Sequence, residues 1–582
     1  MTRPNSDASE GHAILALIEA ERTRLQDELT QVVKSANVIQ ARINALGPLS
    51  RLPSEILVVI FRCLAGIQTT ATFRPRTTVL NCKSGTTPRI LTLGWILVTH
   101  VCRQWRQVAI DHALLWTHIS FALGSDWAER MLERSKMVPL VVREWNSATA
   151  LYPDVLELLR HHLPHIHTFE LCRPSDILEE VLPFLNQNAP MMHTLQLGTK
   201  NPAKNISIVV TPDDFLNQHA PSLRKLVLED VLIPWTSPLF NNLEYLAVKL
   251  TAYEDEDRFD ETASHWEPTL PGFLDVLEAM PGLKTLSLIG AAVPFTTVLS
   301  ILNNNNRTVS LPNLGNATLR SQPRDVAVLL DHLELPRTVK LAFSCDCRDD
   351  IEEWLVLFTS IARYLSRTEL LTITDLDIED QFGAGMLISA HTAPNSTGKD
   401  DHTVFSIHFP YNGILWQLTE IMPLFFGTVP FHSLLSLNVI GGYHHFSRYP
   451  CWRDIFRGLR SVRSFKAFVN EMYTLMEYLW SGPEGSVVFP DLEVLRIPDF
   501  WNILQESEHD PIRNMQERVR MVLESRQSHA PPLKKLVLGG DNPEDISLVT
   551  PRLKGLVSEV TIELLRKPKR PNKINVWHGP QF

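Results

Sequence analysis

The sequence predicts a mixed fold: a long N-terminal helix, a short helical module, and then an α/β repeat whose parallel strands and helices stack as an irregular solenoid. Three observations predict it. Apolar residues recur every seven positions across residues 14–46. Two dense apolar helical patterns follow, at 52–61 and 95–116. From about residue 150 a phrase of the form L-x-x-L-x-L returns repeatedly, usually just after a proline.

Residues 14–46 contain neither Gly nor Pro and read as one helix. Ile18, Leu25, Val32, Ile39 and Leu46 form one heptad series, with Leu15, Arg22, Leu29, Ala36 and Ile43 three residues earlier. These are the a and d positions of a coiled-coil seam, interrupted by one charge at Arg22. Such a stripe needs either a second copy of the chain, a homodimer through residues 14–46, or a surface of its own chain to cover it. Gly47-Pro48 then ends the helix, since Gly suits the C-terminal cap and Pro cannot continue the hydrogen bonding. The polar residues 1–13 read as a disordered tail.

The next stretch, L-S-R-L-P-S-E-I-L-V-V-I-F-R-C-L at 49–64, places Pro53 in a first helical turn and Glu55 where the helix dipole favours an anion. Ile56, Ile60 and Leu64 share a stripe, with Leu57 and Phe61 beside it. A helix apolar around most of its circumference must be buried on two sides, one of them by a partner. After a loop-like insertion at 65–94, the pattern resumes as W-I-L-V-T-H-V-C-R-Q-W-R-Q-V-A-I-D-H-A-L-L-W at 95–116.

The pair L-P-x-E-I-L-x-x-I-F and V-C-R-x-W-R-x-V-A-x-D-x-x-L-W resembles the F-box. Leu52, Pro53, Glu55, Ile56, Ile60, Phe61, Val101, Cys102, Trp105 and Trp116 match in order. The resemblance implies a three-helix module over 48–120 that docks a Skp-type adaptor and, through it, a cullin-RING ubiquitin ligase. Carried over onto this sequence, it assigns adaptor contacts to Leu52, Pro53, Ile56, Leu57, Ile60, Phe61, Val101 and Trp105. The insertion is a departure, because an F-box joins its halves by a short loop. A preceding helix and an inserted segment resemble the pattern of fungal F-box proteins. Lengthening a loop is cheap, roughly 0.6 kcal/mol per doubling, so the insertion is compatible with the fold, although it is also placed to cover part of the adaptor face.

The repeated phrase appears at 164–171, 190–197, 221–228, 241–248, 281–288, 432–439, 460–467, 490–497 and 531–538, with weaker versions at 339–343 and 370–374. Each predicts a short strand over its second half. Between copies lie helix starts: Thr211-Pro212-Asp213-Asp214, Pro271-Gly272 and Ser175-Asp176. The alternation over 150–565 resembles the leucine-rich repeats that follow many F-boxes. It lacks their closing Asn; the equivalent positions hold Lys200, Val231, Thr251, Ala291, Gly442, Phe500 and Asp541, with only Asn470 matching. Irregular turns are therefore expected. An ordinary α/β domain is the other reading of the same alternation.

Composition narrows the function classes. The 582 residues carry 55 Lys and Arg against 65 Asp and Glu, a net charge of −10, which gives no footprint for general nucleic-acid binding. The 44% hydrophobic content excludes disorder throughout. Seven cysteines, with only Cys345 and Cys347 close together, make no disulfide framework. The polar N-terminus has no secretory h-region, and the runs Ile56–Ile60 and Ile90–Val98 are too short to span a membrane. Cytosol or nucleus is the expected compartment, and the sequons at Asn205, Asn306, Asn316 and Asn395 are chance matches.

No phosphate-binding, nucleophile-elbow or zinc-protease motif occurs. His161, His162, His165 and His167 crowd together, but Pro164 divides them and no Cys or carboxylate completes a metal set, so they read as a solvated helix end. Cys345-Asp346-Cys347 is too tightly spaced for a zinc knuckle. The acidic run at 254–261 reads as a loop and the basic tail at 566–582 resembles a nuclear-import segment. Trp235, Trp266, Trp354, Trp452 and Trp501 are expected mostly in core. The sequence therefore points to a non-catalytic, cofactor-free, metal-free substrate-recruiting subunit of a ubiquitin ligase that presents its repeats to an unknown target protein. The alternative is a repeat-based interaction scaffold unconnected to ubiquitination.

Overall fold

A computed structural model describes residues 7–68, 71–73, 90–144, 153–199, 208–250, 269–290, 307–345, 350–367, 372–381, 385–392, 403–410, 418–440, 451–467, 479, 487–498, 511–540, 551, 553 and 555–564. The acidic run, the basic tail, Cys347, Trp266 and Trp501 lie outside these residues. The chain divides into two compact units, Met1–Cys172 with Phe184–Met192, and Arg173–Pro183 with His193–Phe582.

The first unit opens with helix α1 (Asp7–Leu46). It starts seven residues before the Gly- and Pro-free stretch, so the expected tail over 1–13 is helical from Asp7. An acid there is favoured by the helix dipole, and the single Gly11 is tolerated inside a helix of this length. A 3-10 turn at Pro48–Arg51 leads into α2 (Ser54–Ile67). Strands β1 (Ala71–Phe73) and β2 (Ile90–Thr92) pair antiparallel, and a 3-10 segment at Gly94–His100 follows. Next come α3 (Arg103–Asp111), a 3-10 turn at Ala113–Trp116, β3 (His118–Ile119) and α4 (Ser125–Ser135). β4 (Leu140–Glu144), α5 (Pro153–His162) and β5 (Ile166–Arg173) follow, with the unit boundary at the end of β5. β3, β4 and β5 are parallel neighbours.

In the second unit, α6 (Ser175–Val181) precedes β6 (Thr194–Thr199). β7 (Val209–Val210), β8 (Lys225–Glu229), β9 (Val231–Leu232), β10 (Tyr245–Leu250), α7 (Leu270–Glu278), β11 (Thr285–Gly290), β12 (Val309–Ser310) and β13 (Asn316–Arg320) follow. Then come α8 (Pro323–Asp331), β14 (Leu333–Glu334), β15 (Lys340–Ser344) and α9 (Ile351–Arg367). β16 (Asp375–Asp380), β17 (Gly385–His391) and β18 (Thr403–Pro410) precede α10 (Leu418–Thr428) and β19 (Ser436–Ile440). The described chain continues through α11 (Cys451–Gly458), β20 (Ser464–Ala467), β21 (Val494–Ile497), α12 (Pro511–Gln527), β22 (Lys535–Gly540) and β23 (Glu559–Leu564).

The pairing is a large, mostly parallel ladder. β6, β8, β10, β11, β13 and β15 neighbour one another in chain order, as do β19 through β23. Between these two runs the order changes: β15 pairs with β18, β18 with β17, β17 with β16, and β16 with β19. β17 is antiparallel to both its neighbours, so a meander joins the two parallel runs. The weak phrase at 339–343 lies on β15, whereas that at 370–374 ends just before β16.

The repeated phrase explains the register. In the eight copies from residue 190 onward the strand begins at the fifth residue: Thr194, Lys225, Tyr245, Thr285, Ser436, Ser464, Val494 and Lys535. Cross-strand partners are equivalent positions, giving the row Leu195, Leu226, Leu246, Leu286, Ala317, Leu341 and a second row Leu376, Leu437, Phe465, Leu495, Leu536. All of these are buried. A slip of one residue would turn every such side chain to the opposite face, so burial pins the register. The phrase's first Leu is buried as well, at Leu223, Leu243, Leu283, Leu434, Leu492 and Leu533.

A backbone device recurs where the strands start. The carbonyl of the fourth phrase residue accepts two N–H groups from the next copy: Arg224 O takes those of Glu244 and Tyr245, Glu244 O those of Lys284 and Thr285, and Arg463 O those of Glu493 and Val494. These backbone groups at the strand starts are thus satisfied by the backbone of the neighbouring copy. Of the eight positions compared for the closing Asn, Val231 lies on β9 and the others fall outside the described residues.

Helices α8 and α9, α9 and α10, and α10 and α11 pack against each other in succession. α7 starts as expected, with Thr269 Oγ1 accepting from Gly272 N at 3.4 Å. The expected helix after Thr211 is instead a short turn, Phe215–Gln218, in which Leu216, Asn217 and Gln218 adopt positive φ. Pro221 follows too closely to leave room for a regular helix. Trp354 and Trp452 are buried, and Trp235 is half-buried, stacked on Phe240 at 5.0 Å.

Candidate functional site: an apolar docking face

The site grows from α2. Pro53 precedes its first residue and caps it; its carbonyl accepts from Ile56 N and Leu57 N at 3.1 and 3.2 Å. Pro53 therefore stands one step outside the helix rather than in its first turn. The helix is apolar nearly all round, and its two sides have different fates. Leu57 and Phe61, four residues apart, are fully buried. Ile56 and Ile60, also four apart, remain 47% and 39% exposed, with Val59 exposed beside them.

Aromatic packing decides which side is inside. Phe61 meets Trp105 of α3 with ring centroids 5.2 Å apart. Trp95 meets Trp116 edge-on at 5.0 Å, and Trp116 donates its indole N–H to Ala109 O at 2.8 Å. The Arg134 guanidinium lies 4.4 Å above the Trp116 ring; burial, with Arg130 and Arg106 nearby, lowers its pKa. Cys102 caps α3, its sulfur accepting from Trp105 N at 3.5 Å. A small polarizable residue before the charged first turn thus supplies the acceptor that Ser or Asp supplies elsewhere.

The two halves of the pattern meet in one body. Trp95 N donates to Gln68 O at 2.9 Å, and the β1–β2 ribbon departs just beyond that bond. Of the residues expected to contact an adaptor, Leu57 and Phe61 lie in the module's own core, and Trp105 and Leu52 are half-buried. Pro53, Ile56, Ile60 and Val101 are exposed, Val101 at 57%. Leu97, four residues before Val101, and Leu114 are exposed too. Sequence reasoning missed Leu97 because W-I-L-V at 95–98 reads as one continuous apolar run, and it missed Trp95 as a core anchor. The face is apolar with a rim of exposed Arg51, Glu55, Arg62, Arg103 and Arg106, an apolar centre with a charged margin.

Residues 49–122 match the F-box-like family. The F-box-like domain therefore holds the whole exposed face, the Cys102 cap and the Trp95–Trp116 core. A comparison of the chain with curated proteins finds no significant match.

The histidine cluster makes no rival site. No group of metal-ligating side chains assembles among the described residues. His161 and His167 are exposed, but His165 is buried, which corrects the reading of a solvated helix end. α5 ends at His162, and the 3-10 turn that follows carries His165 back onto it; the rings stack, with His162 Nδ1 and His165 Nε2 2.7 Å apart. Burial lowers the pKa of both, and the proximity of His165 lowers that of His162 further. Among the described residues no helix is long and apolar enough to cross a membrane.

Proposed function

We propose that the chain is the non-catalytic substrate-recognition subunit of a Skp-cullin-F-box type ubiquitin ligase. The observation that carries this reading is the F-box-like domain with Ile56, Ile60 and Val101 left exposed while Leu57 and Phe61 hold the core. An adaptor of Skp type would cover Pro53, Ile56, Ile60 and Val101, with Leu52 and Trp105 at the margin of the contact. Burying such side chains yields about 25 cal/mol per Å² without charge pairing. The repeats, read as an irregular leucine-rich-repeat-like solenoid, would hold the target. Support comes from the row Asp377, Asn438, Lys466 and Arg496, in register on neighbouring strands and half-exposed on the side opposite the buried leucines. The ligase chemistry would then come from proximity alone, since a tethered target meets the ubiquitin-loaded enzyme at high effective concentration.

Retention of the full chain on immobilised, purified Skp-type adaptor tests this. The intact chain is expected to be retained, and Ile56→Asp/Val101→Asp to lose at least about tenfold in affinity with an unchanged unfolding curve. An intact chain that is not retained overturns the reading.

A further inference from the structure

Among the described residues α1 carries an exposed apolar stripe. From Leu15 to Ala36 every side chain is exposed, among them Leu25 at 56%, Leu29 at 62%, Val32 at 60% and, further on, Ile39 at 58%. A helix in water draws most of its stability from packing an amphipathic face, so a partner is expected. The charges along the seam select which one. In a parallel pair of copies, Arg22 would face Arg22 of the second copy across a core layer, and Ala36 would face Ala36. The flanking positions would set Glu21 against Gln26 and Glu28 against Val33, with no ion pair anywhere.

Running the second copy in the opposite direction removes both faults. With full overlap, Leu15 meets Leu46, Ile18 meets Ile43, Arg22 meets Ile39, Leu25 meets Ala36, and Leu29 meets Val32. The large Leu25 fills the space beside the small Ala36, and the two arginines lie far apart. The flanking positions then place Glu21 opposite Arg42 of the other copy, twice by symmetry. Among the described residues Glu21 pairs with Arg24, at 3.6 Å with both side chains more than half exposed, an interaction weak enough to yield. We propose that α1 joins two copies of this chain as an antiparallel two-helix coil centred between Thr30 and Gln31, with Glu21–Arg42 ion pairs at both ends. The seam spans residues 15–46, roughly 48 Å at the helical rise.

Sedimentation equilibrium of the full chain, at several micromolar concentrations and moderate salt, tests the orientation and the register together. The unaltered chain is expected to be a dimer. Glu21→Lys and Arg42→Glu are each expected to weaken it roughly tenfold through two like-charge contacts, and the double variant to restore it. Leu29→Asp/Val32→Asp is expected to give monomers that keep the intact chain's unfolding curve. A monomeric unaltered chain overturns the proposal. A dimer indifferent to both charge reversals is parallel and overturns it too. Weakening by Arg42→Glu alone moves the register by one heptad, where Glu28 faces Arg42, and overturns the full overlap.

Discussion

The backbone N–H of Trp95 donates to the carbonyl of Gln68 at 2.9 Å, although residues 69–94 lie between them. The end of α2 and the start of the next segment are therefore joined as if by a short loop. What leaves the module is the antiparallel β1–β2 ribbon, whose strands Ala71–Phe73 and Ile90–Thr92 pair residue for residue. A long insertion is compatible with the F-box-like domain for that reason.

Replacing residues 71–92 by a short Gly-Ser linker should leave the module folded. Two halvings of loop length are worth roughly 1.2 kcal/mol of closure entropy, so urea unfolding should show equal or slightly higher stability. Adaptor retention is expected to be unchanged. A fall in retention with intact folding would assign part of the docking surface to the ribbon.

Phe61 and Ile60 are neighbours in sequence with opposite roles. Phe61→Ala removes a fully buried ring from its contact with Trp105 and should cost about 3–5 kcal/mol. Ile60→Ala should cost well under half of that, and it should weaken adaptor retention instead. Paired denaturation and pull-down measurements on the two variants would show whether fold and docking separate in this way.

Acid should destabilise the first unit through His162 and His165. Both have pKa values held below the ordinary 6.5, by burial first. Below about pH 6.5 the unfolded chain binds protons that the folded pair refuses, so stability falls as pH drops from 6.5 toward the folded values. Unfolding midpoints at pH 7.5 and 5.5 should differ less in His162→Gln/His165→Gln than in the unaltered chain; an equal difference would clear the pair of any part in acid sensitivity.

Gly290 closes β11 at φ 70°, and an added Cβ would collide with the Leu250 carbonyl oxygen at the end of β10. Neither the backbone conformation nor the space accepts a side chain. Gly290→Ala should therefore lower stability by about 1–3 kcal/mol, whereas Gly282→Ala, which meets open space, should be near neutral. Thermal shifts of the two variants compare them directly.

Much of the repeat region was legible because each copy carries its own register mark. Where Leu occupies the third, sixth and eighth positions of the phrase, a strand starts at the fifth. The copy on β13 is harder to recognise because Ala317 stands where the others carry Leu or Phe. The meander could not be read at all. Alternating apolar residues in β16, β17 and β18 look the same whether a strand runs parallel or antiparallel, and the partner across the ladder is a long-range choice.

The chain's own pattern determined that α1 would be a single amphipathic helix, that Gly47-Pro48 would end it, and that residues 52–61 and 101–116 would fold as one module. Only tertiary packing decided which half of α2 turned inward. Its circumference is apolar on both sides, so hydrophobicity alone cannot choose; Trp105, held by the Cys102 cap, sits over Phe61 and leaves Ile56 and Ile60 to the solvent. The seam of α1 divides in the same way: its spacing is local, but the exposure of Leu25, Leu29, Val32 and Ile39 is visible only in the fold.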